Sequence, residues 1–384
     1  MLYLDANATT PPDPLVVEEM LPFLIQHYGN ASASHAGGRR ARRAVEKARG
    51  QVASLVGAQP EEIIFTSGAT ESINSVLSFA QQEWPERPLL ITSAVEHAAV
   101  VECADRWEQR GGRVKRVPVN EHGVIRLDAL KTALEPGKTA LVSMIWANNE
   151  TGVISPMAEI AAMAHEAGSL VHADAVQMAG KAEIEIKNVP VDYLSLSGHK
   201  MHAIKGIGAL FVSRHAPFRP LLIGGGQESG RRSGTENVPG IVAMGKAAEL
   251  ASSWLQSGRP AEMADLRDEF EQLLMDGWPG AMVHGADAPR LPNTTSISLP
   301  GADAAGMLIV LDQRGIACSG GSACHTASLH PSHVLEAMGH DATHAGSTLR
   351  FSTSRMNTRD EVISAVTEVL RAARHLTEQK GLLA

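Results

Sequence analysis

The run Val191-Asp192-Tyr193-Leu194-Ser195-Leu196-Ser197-Gly198-His199-Lys200 is apolar at first and ends in a small polar turn and a lysine. A second apolar run, Ala209-Leu210-Phe211-Val212, follows soon after. A lysine held beside apolar strands is poorly solvated, which disfavours its charged form. The free amine is then a nucleophile able to condense with a carbonyl cofactor. A loop lysine taken alone is ordinarily a surface residue, so the reading of Lys200 depends on what accompanies it.

Pyridoxal phosphate asks four things of a protein: an amine for its aldehyde, a carboxylate for its ring nitrogen, a cup for its phosphate, and groups for the ring face and phenolic oxygen. Lys200 can be the amine. Asp174 can pair with the ring nitrogen and keep it protonated, and Gln177, three residues on, can reach the phenolic oxygen. Thr70, Ser197 and His199 offer phosphate donors, and His97 can stack on the ring. Each of these singly could be a helix cap or a satisfied strand-end polar group. Their shared placement at successive strand ends favours one composite site.

Cys324 lies in the Gly/Ser-rich run Gly315 to Ser328, and a cysteine on such a loop is accessible and able to move, as a nucleophile must be. Cys318 ends an apolar run, where a buried core thiol is expected. Pooling Cys318, Cys324, His325, His330 and His333 would make a metal site, but these spacings match no common zinc pattern and no metal is expected. Arg350, between Leu349 and Phe351, should sit on a strand. Its planar fork suits a substrate carboxylate, and an internal salt bridge is the competing use.

The elements that must position these residues alternate. Strands are expected at 63–66, 89–92, 114–119, 140–145 and 170–173, with helices between them, and the Lys200 strand follows. The pattern predicts an α/β fold with a mostly parallel sheet covered on both faces. Ligands in such sheets bind beyond the carboxyl ends of the strands, which is where Thr70, His97, Asn149, Asp174, Gln177 and Lys200 fall. Asp13-Pro14 opens a helix expected to end at Gly29-Asn30, and a longer helix stops before Gly57. The turn Ser67-Gly68-Ala69-Thr70 at a helix start could hold a phosphate on free backbone N–H groups. Gly224 to Asn237 is expected to be a long functional loop. After a break at Ser257-Pro260, helix 304–313, strand 348–352 and helix 359–376 suggest a smaller α+β unit, onto which the first residues return.

Composition sets outer bounds. The chain of 384 residues exceeds the size at which one core stops growing, so two domains are expected. A formal net charge of −8 with no basic block argues against nucleic acid as a partner. No apolar run is long enough to span a bilayer, and no signal peptide is evident. Three cysteines do not make a disulfide framework, which fits a reducing cytoplasm.

Taken together, the runs Tyr3 to Thr10, Thr66 to Glu71, Glu96-His97, Asn148 to Glu150, Asp174 to Gln177, Ser195 to Lys200, Gly224 to Asn237, Ser322 to Cys324 and Arg350 to Ser352 closely resemble the cysteine desulfurases of the NifS/IscS type. The resemblance implies the fold-type I pyridoxal-phosphate transferase architecture. That means a seven-stranded sheet domain over 15–256 and a smaller α+β domain, 1–14 plus 257–384, carrying the cysteine loop. It also implies residue roles. Lys200 would hold the cofactor and move the Cα proton, with Ala69, Thr70, Asn149, Asp174, Gln177, Ser197 and His199 binding the cofactor. His97 would stack and transfer protons, Asn149 and Arg350 would bind L-cysteine, and Thr235 would reach the phosphate of a partner subunit in a homodimer. Thiolate Cys324 would attack the substrate sulfur, leaving alanine and an enzyme persulfide for an acceptor protein, as in iron–sulfur cluster assembly.

The chain departs from the family at Ala203-Ile204, where Gly-Pro is usual, and at Asn30-Ala31-Ser32-Ala33, where Asn-Pro-Ser-Ser is usual. It ends without the longer tail with which IscS-type members dock the scaffold, so a NifS-like or other specialised sulfur donor is an open reading. Selenocysteine lyase or aminotransferase activity on the same scaffold is an alternative. A catalytically silent or metal-binding adaptor is another, from a different class.

Overall fold

The computed structural model describes residues 1–320 and 332–383. Cys324, His325 and His330 lie outside the described residues. In chain order the elements are β1 (Leu2–Tyr3), α1 (Pro14–Ile25), α2 (Ala36–Val56), β2 (Ile63–Thr66), α3 (Ala69–Glu83), β3 (Leu89–Ser93), α4 (Ala98–Gln109), β4 (Arg113–Val117), α5 (Leu127–Ala133) and β5 (Thr139–Ile145). Then come α6 (Met157–Glu166), β6 (Leu170–Asp174), β7 (Tyr193–Ser197), β8 (Gly208–Val212), α7 (Val238–Leu255), α8 (Arg259–Gly277), β9 (Met282–Val283) and β10 (Thr294–Ser298). The rest are α9 (Ala304–Gln313), β11 (Ile316–Ala317), β12 (Ser319–Gly320), α10 (His333–Ala337), α11 (Ala342–Gly346), β13 (Thr348–Ser352) and α12 (Arg359–Leu383).

Seven strands form one sheet in the order β2-β8-β7-β6-β5-β3-β4. All pairings are parallel except those of β8, which runs antiparallel to both neighbours. The period-2 alternation of side chains divides each strand between two cores. Ile63, Phe65, Ala209 and Phe211 face one core, with α1, α2, α6 and α7. Ile64, Leu210 and Val212 face the other, with α3 and α4. Burial on both faces explains why these strands are apolar at nearly every position. Small residues bring α2 and α7 together: a Cβ added at Gly245 would lie 2.5 Å from the Ala48 Cα.

A four-stranded antiparallel sheet, β12-β13-β10-β9, has a separate core with α8, α9 and α12. The first residues do return to it. β1 pairs with β11, and Asp5 bridges Ser352 at the end of β13. The chain then crosses to the large sheet, where Thr10 N–H donates to the His199 carbonyl at 2.8 Å.

Most expected boundaries agree with the structure to within a few residues. Helix α1 is capped by Asp13, whose side chain accepts from Leu15 N–H, and α2 ends at Gly57 with φ 71°. Helix α1 stops at Ile25 and not at Gly29, after the proline Pro22 near its end. The short β1, β9, β11, β12 and α11 have too few residues to show periodicity.

β2 is an edge strand of the large sheet, and a buried ion pair stands where a further strand would be. Arg49 Nη1 donates to the Ile63 carbonyl at 2.9 Å, and Glu228 accepts from Phe65 N–H at 2.9 Å. The two side chains meet in two bonds of 2.7 and 2.8 Å. Glu228 and Ser229 both have positive φ, 51° and 57°, so the pair holds the 224–237 loop in a backbone form that non-glycine residues rarely adopt. The substitution Arg49→Met strands a buried carboxylate and should cost about 3–5 kcal/mol in equilibrium denaturation. Adding Glu228→Gln should recover part of that. A loss below about 1 kcal/mol would rank the pair with exposed salt bridges.

Candidate active site

The C-terminal ends of β2, β3, β5, β6 and β7 open on one side of the large sheet, into a cavity of about 500 Å³. Ala69, Thr70, His97, Asn149, Asp174, Gln177, Ser197, His199, Lys200 and Arg350 all line it. Of the described residues given a cofactor or substrate role from sequence, Thr235 is the exception. It faces an adjoining cleft of about 220 Å³, which shares Ser67, Gly206 and Ile207 with the main cavity.

Lys200 ends the short turn Gly198–Lys200 after β7. Its Nζ donates to the carbonyls of Asn7 at 2.6 Å and Ala8 at 2.7 Å. Asp174 is the last residue of β6 and is buried. Its Oδ1 accepts from Val176 N–H at 3.0 Å. Burial raises its pKa, and the attraction of His97 and Lys200 opposes that rise. A cation held against Asp174 would therefore be a favourable partner. Beneath it, Ser143 on β5, His172 on β6 and Ser195 on β7 form a buried polar row with hydroxyl–imidazole distances of 2.8 Å on both sides.

His97 caps α4, with Nδ1 accepting from Ala99 N–H at 3.1 Å. That bond assigns the proton of the neutral ring to Nε2. On the phosphate-facing side, α3 begins at Ala69 and its first N–H groups have no intrahelical acceptor. Burial would raise the Glu71 carboxyl. Arg232 at 2.8 Å and the Ser67 N–H outweigh it and keep the group low, so its charge beside the helix start is balanced.

Arg350 on β13 reaches in from the small sheet. It is buried, donates to Asp5 at 2.7 Å and to the Asn149 carbonyl at 3.1 Å, and its Nε has no partner. The internal salt bridge expected of it is present, and the residue also lines the cavity. Cys318, between β11 and β12, packs against the small core, and burial pushes its thiol up to about 12, as suits a structural cysteine. Among the described residues no group of three or more His, Cys, Asp or Glu side chains could hold a metal ion.

These residues fit pyridoxal phosphate. The cavity has an amine on one wall, a buried carboxylate whose raised pKa favours a cation beside it, a helix start with open N–H groups, and a guanidinium.

Sequence reasoning missed Asn7, Lys181 and Glu150, and gave Glu96 no role. Lys181 follows Gln177 by four residues, a spacing that puts both on one side of a helical turn. Asn7 gives no local signal, because its partners lie far away in the chain. Glu96 is buried and bonds Ser93 Oγ at 2.5 Å and Ile145 N–H at 2.9 Å. Its Oε2 has no partner, and burial pushes its pKa up to about 8. Burial likewise takes Glu150, bonded to Ser332, up to about 7.

A carboxyl whose folded pKa is raised stabilises the fold most below its unfolded pKa, and that contribution is lost as pH rises through the folded value. For Glu96 the window runs from 4.5 to about 8. In cofactor-free protein, Glu96→Gln should flatten stability across that window, and its advantage over the parent should grow toward pH 8 in urea titrations. A gap that does not change with pH would mean that Glu96 stays ionised.

The model of the class-V aminotransferases matches residues 2–364. A cysteine desulfurase of Nostoc sp. (strain PCC 7120) is 46% identical over 384 residues, covering 99% of this chain and 96% of that protein. One from Sinorhizobium fredii is 46% identical over 381 residues, covering 97% and 98%. Among solved structures, a NifS-like protein superposes with a TM-score of 0.90 at 38% identity, covering 98% of this chain and 100% of the other. A structure described as SspA in complex with cysteine superposes at 0.81 with 33% identity, covering 92% and 98%.

Proposed function

The chain belongs to the class-V aminotransferase family and to its cysteine desulfurases, and from that membership we propose how its own residues carry the reaction. L-Cysteine and an enzyme thiol become L-alanine and an enzyme persulfide. The substrate's Cβ–S bond breaks and a sulfur–sulfur bond forms. Bound pyridoxal 5'-phosphate supplies the electron sink that acidifies the substrate Cα–H.

Lys200 is the amine for the cofactor aldehyde and the base for the Cα proton. The Asn7 and Ala8 carbonyls aim its Nζ. Asp174, whose carboxyl is buried, would hold the ring nitrogen in its protonated form. The start of α3, with Ala69 and Thr70, cradles the phosphate together with Ser197 and His199. His97 covers the ring and offers the Nε2 proton. Arg350, which lines the cavity, takes the substrate carboxylate on its planar guanidinium, with Asn149 beside it. Cys324 is the thiolate that attacks the substrate sulfur, and its persulfide passes to an acceptor protein. The observation that carries this reading is the meeting of Lys200, Asp174 and Arg350 in one cavity.

Two further parts belong to the proposal. The two sheets with separate cores support a large domain over 15–256 and a small one from 1–14 and 257–384. Leu21, Leu24, Ile25 and Tyr28 on and after α1, with Ile223, leave large apolar groups exposed. They support a homodimer, in which Thr235 in its adjoining cleft would reach the partner's cofactor phosphate. Among the described residues no helix is long and apolar enough to cross a membrane. We place the enzyme in the cytoplasm, where its thiols stay reduced.

The visible spectrum of purified protein before and after L-cysteine, with alanine and sulfide assayed together, tests the reading. A yellow band that shifts, with both products formed under reductant, is expected. A protein that stays colourless and inert after the cofactor is supplied would overturn it. Cys324→Ala should abolish sulfide release; sulfide formed at the parent rate would remove Cys324 from the mechanism. Arg350→Leu should raise KM for L-cysteine about a hundredfold, the worth of about 3 kcal/mol of charged hydrogen bonding. An unchanged KM would return Arg350 to a purely internal role.

A further inference from the structure

Lys181 is buried, and the roles above do not use it. Its Nζ donates to Asn7 Oδ1 at 3.0 Å and to Gln177 Oε1. Both acceptors are neutral amides. The charges acting on it are the like charges of Lys200 and Arg350, and these add to burial in pushing its pKa well below the lysine range. A neutral amine has two N–H bonds, and the site offers these two acceptors.

The consequence falls on Gln177. With Oε1 accepting from Lys181, the amide cannot turn over without losing that bond. Its Nε2 gives one N–H to the Asn7 carbonyl at 3.1 Å. Gln177 lines the cavity, so the group left for a ligand there is the second N–H, which suits an anionic oxygen. Asn7 is fixed by the same logic. Its Oδ1 takes Lys181 and Asn293, and its Nδ2 gives to the Asn149 carbonyl and to Thr294 Oγ1. The Asn7 backbone carbonyl then receives Gln177 and Lys200 together.

We propose that Lys181 is a positioning residue. Through its two donated hydrogen bonds it turns the Gln177 N–H toward the phenolic oxygen of the cofactor and sets the Asn7 carbonyl that aims Lys200. The proposal rests on the cofactor lying in this cavity. The other ionisable groups facing the network are Lys200, His199 and His202 on the turn after β7, Asp174 at the end of β6 and Arg350 on β13. Lys181 is the residue that donates to Gln177 Oε1.

Holoenzyme of the parent, K181M and K181R is titrated by visible absorption, with cofactor retention on dialysis and melting of the cofactor-free protein measured alongside. K181M frees the Gln177 amide and removes the donor that steadies the phenolate. The pH midpoint of the visible band should rise by about one pH unit, and cofactor retention should fall severalfold. K181R keeps donors but adds a permanent charge, and its midpoint should move down. An unmoved midpoint in K181M, or shifts of the same sign in both variants, overturns the proposal and leaves Lys181 a packing residue seen only in melting. If K181M yields no soluble holoenzyme, K181A, which likewise has no donor, takes its place, and a midpoint equal to the parent's overturns the proposal in the same way. A parent protein with no visible band defeats the cofactor reading itself, which separates the two failures.

Discussion

The hydrogen bonds of Asn7 are the constraint on which the site depends. One residue near the start of the chain binds Gln177, Lys181 and Lys200 from the large sheet, and Asn293, Thr294 and Ser352 from the small one. Its buried amide has no unused capacity. The lysine that does the chemistry is therefore aimed by a contact that also ties the two sheets together. Arg350 shows the same economy, bonding the Asn149 carbonyl of the large sheet from a strand of the small one.

The surroundings of the cavity are short of charge balance by design of burial. Glu96 and Glu150 are pushed toward their protonated forms, His172 is buried between two hydroxyls, and Lys181 meets only amides. Against this floor of neutral polar groups stand Asp174, with His97 and Lys200 near it, and Arg350, paired with Asp5. In a poorly solvated site such groups act on a bound charge with little screening.

The large sheet was legible because each strand is buried on both faces, so its apolar run is continuous, and each run ends in a polar turn. The same feature placed Thr70, His97, Asn149, Asp174, Gln177 and Lys200 at one edge. Lys181, Glu96 and Asn7 were not legible as site residues for a physical reason. Their importance lies in whom they touch, and Asn7 touches residues hundreds of positions away. The brief strands β1, β11 and β12 were invisible for a related reason: two residues carry no period, and only the tertiary partner makes them strands. Arg350 was ambiguous in sequence because it does two things in the fold.

The route of the first residues has a consequence for how the molecule is born. β7 and β8 are neighbours in sequence, so the turn bearing Lys200 can form from local contacts. Asn7, however, is held by Ser352, 345 residues later. Such a long closure is slow and comes late. A chain emerging from the ribosome has Lys200 and Asn7 well before β13, whose Ser352 holds Asn7, has been synthesised. The bond that ties Asn7 to the small sheet is thus among the last that the chain can make.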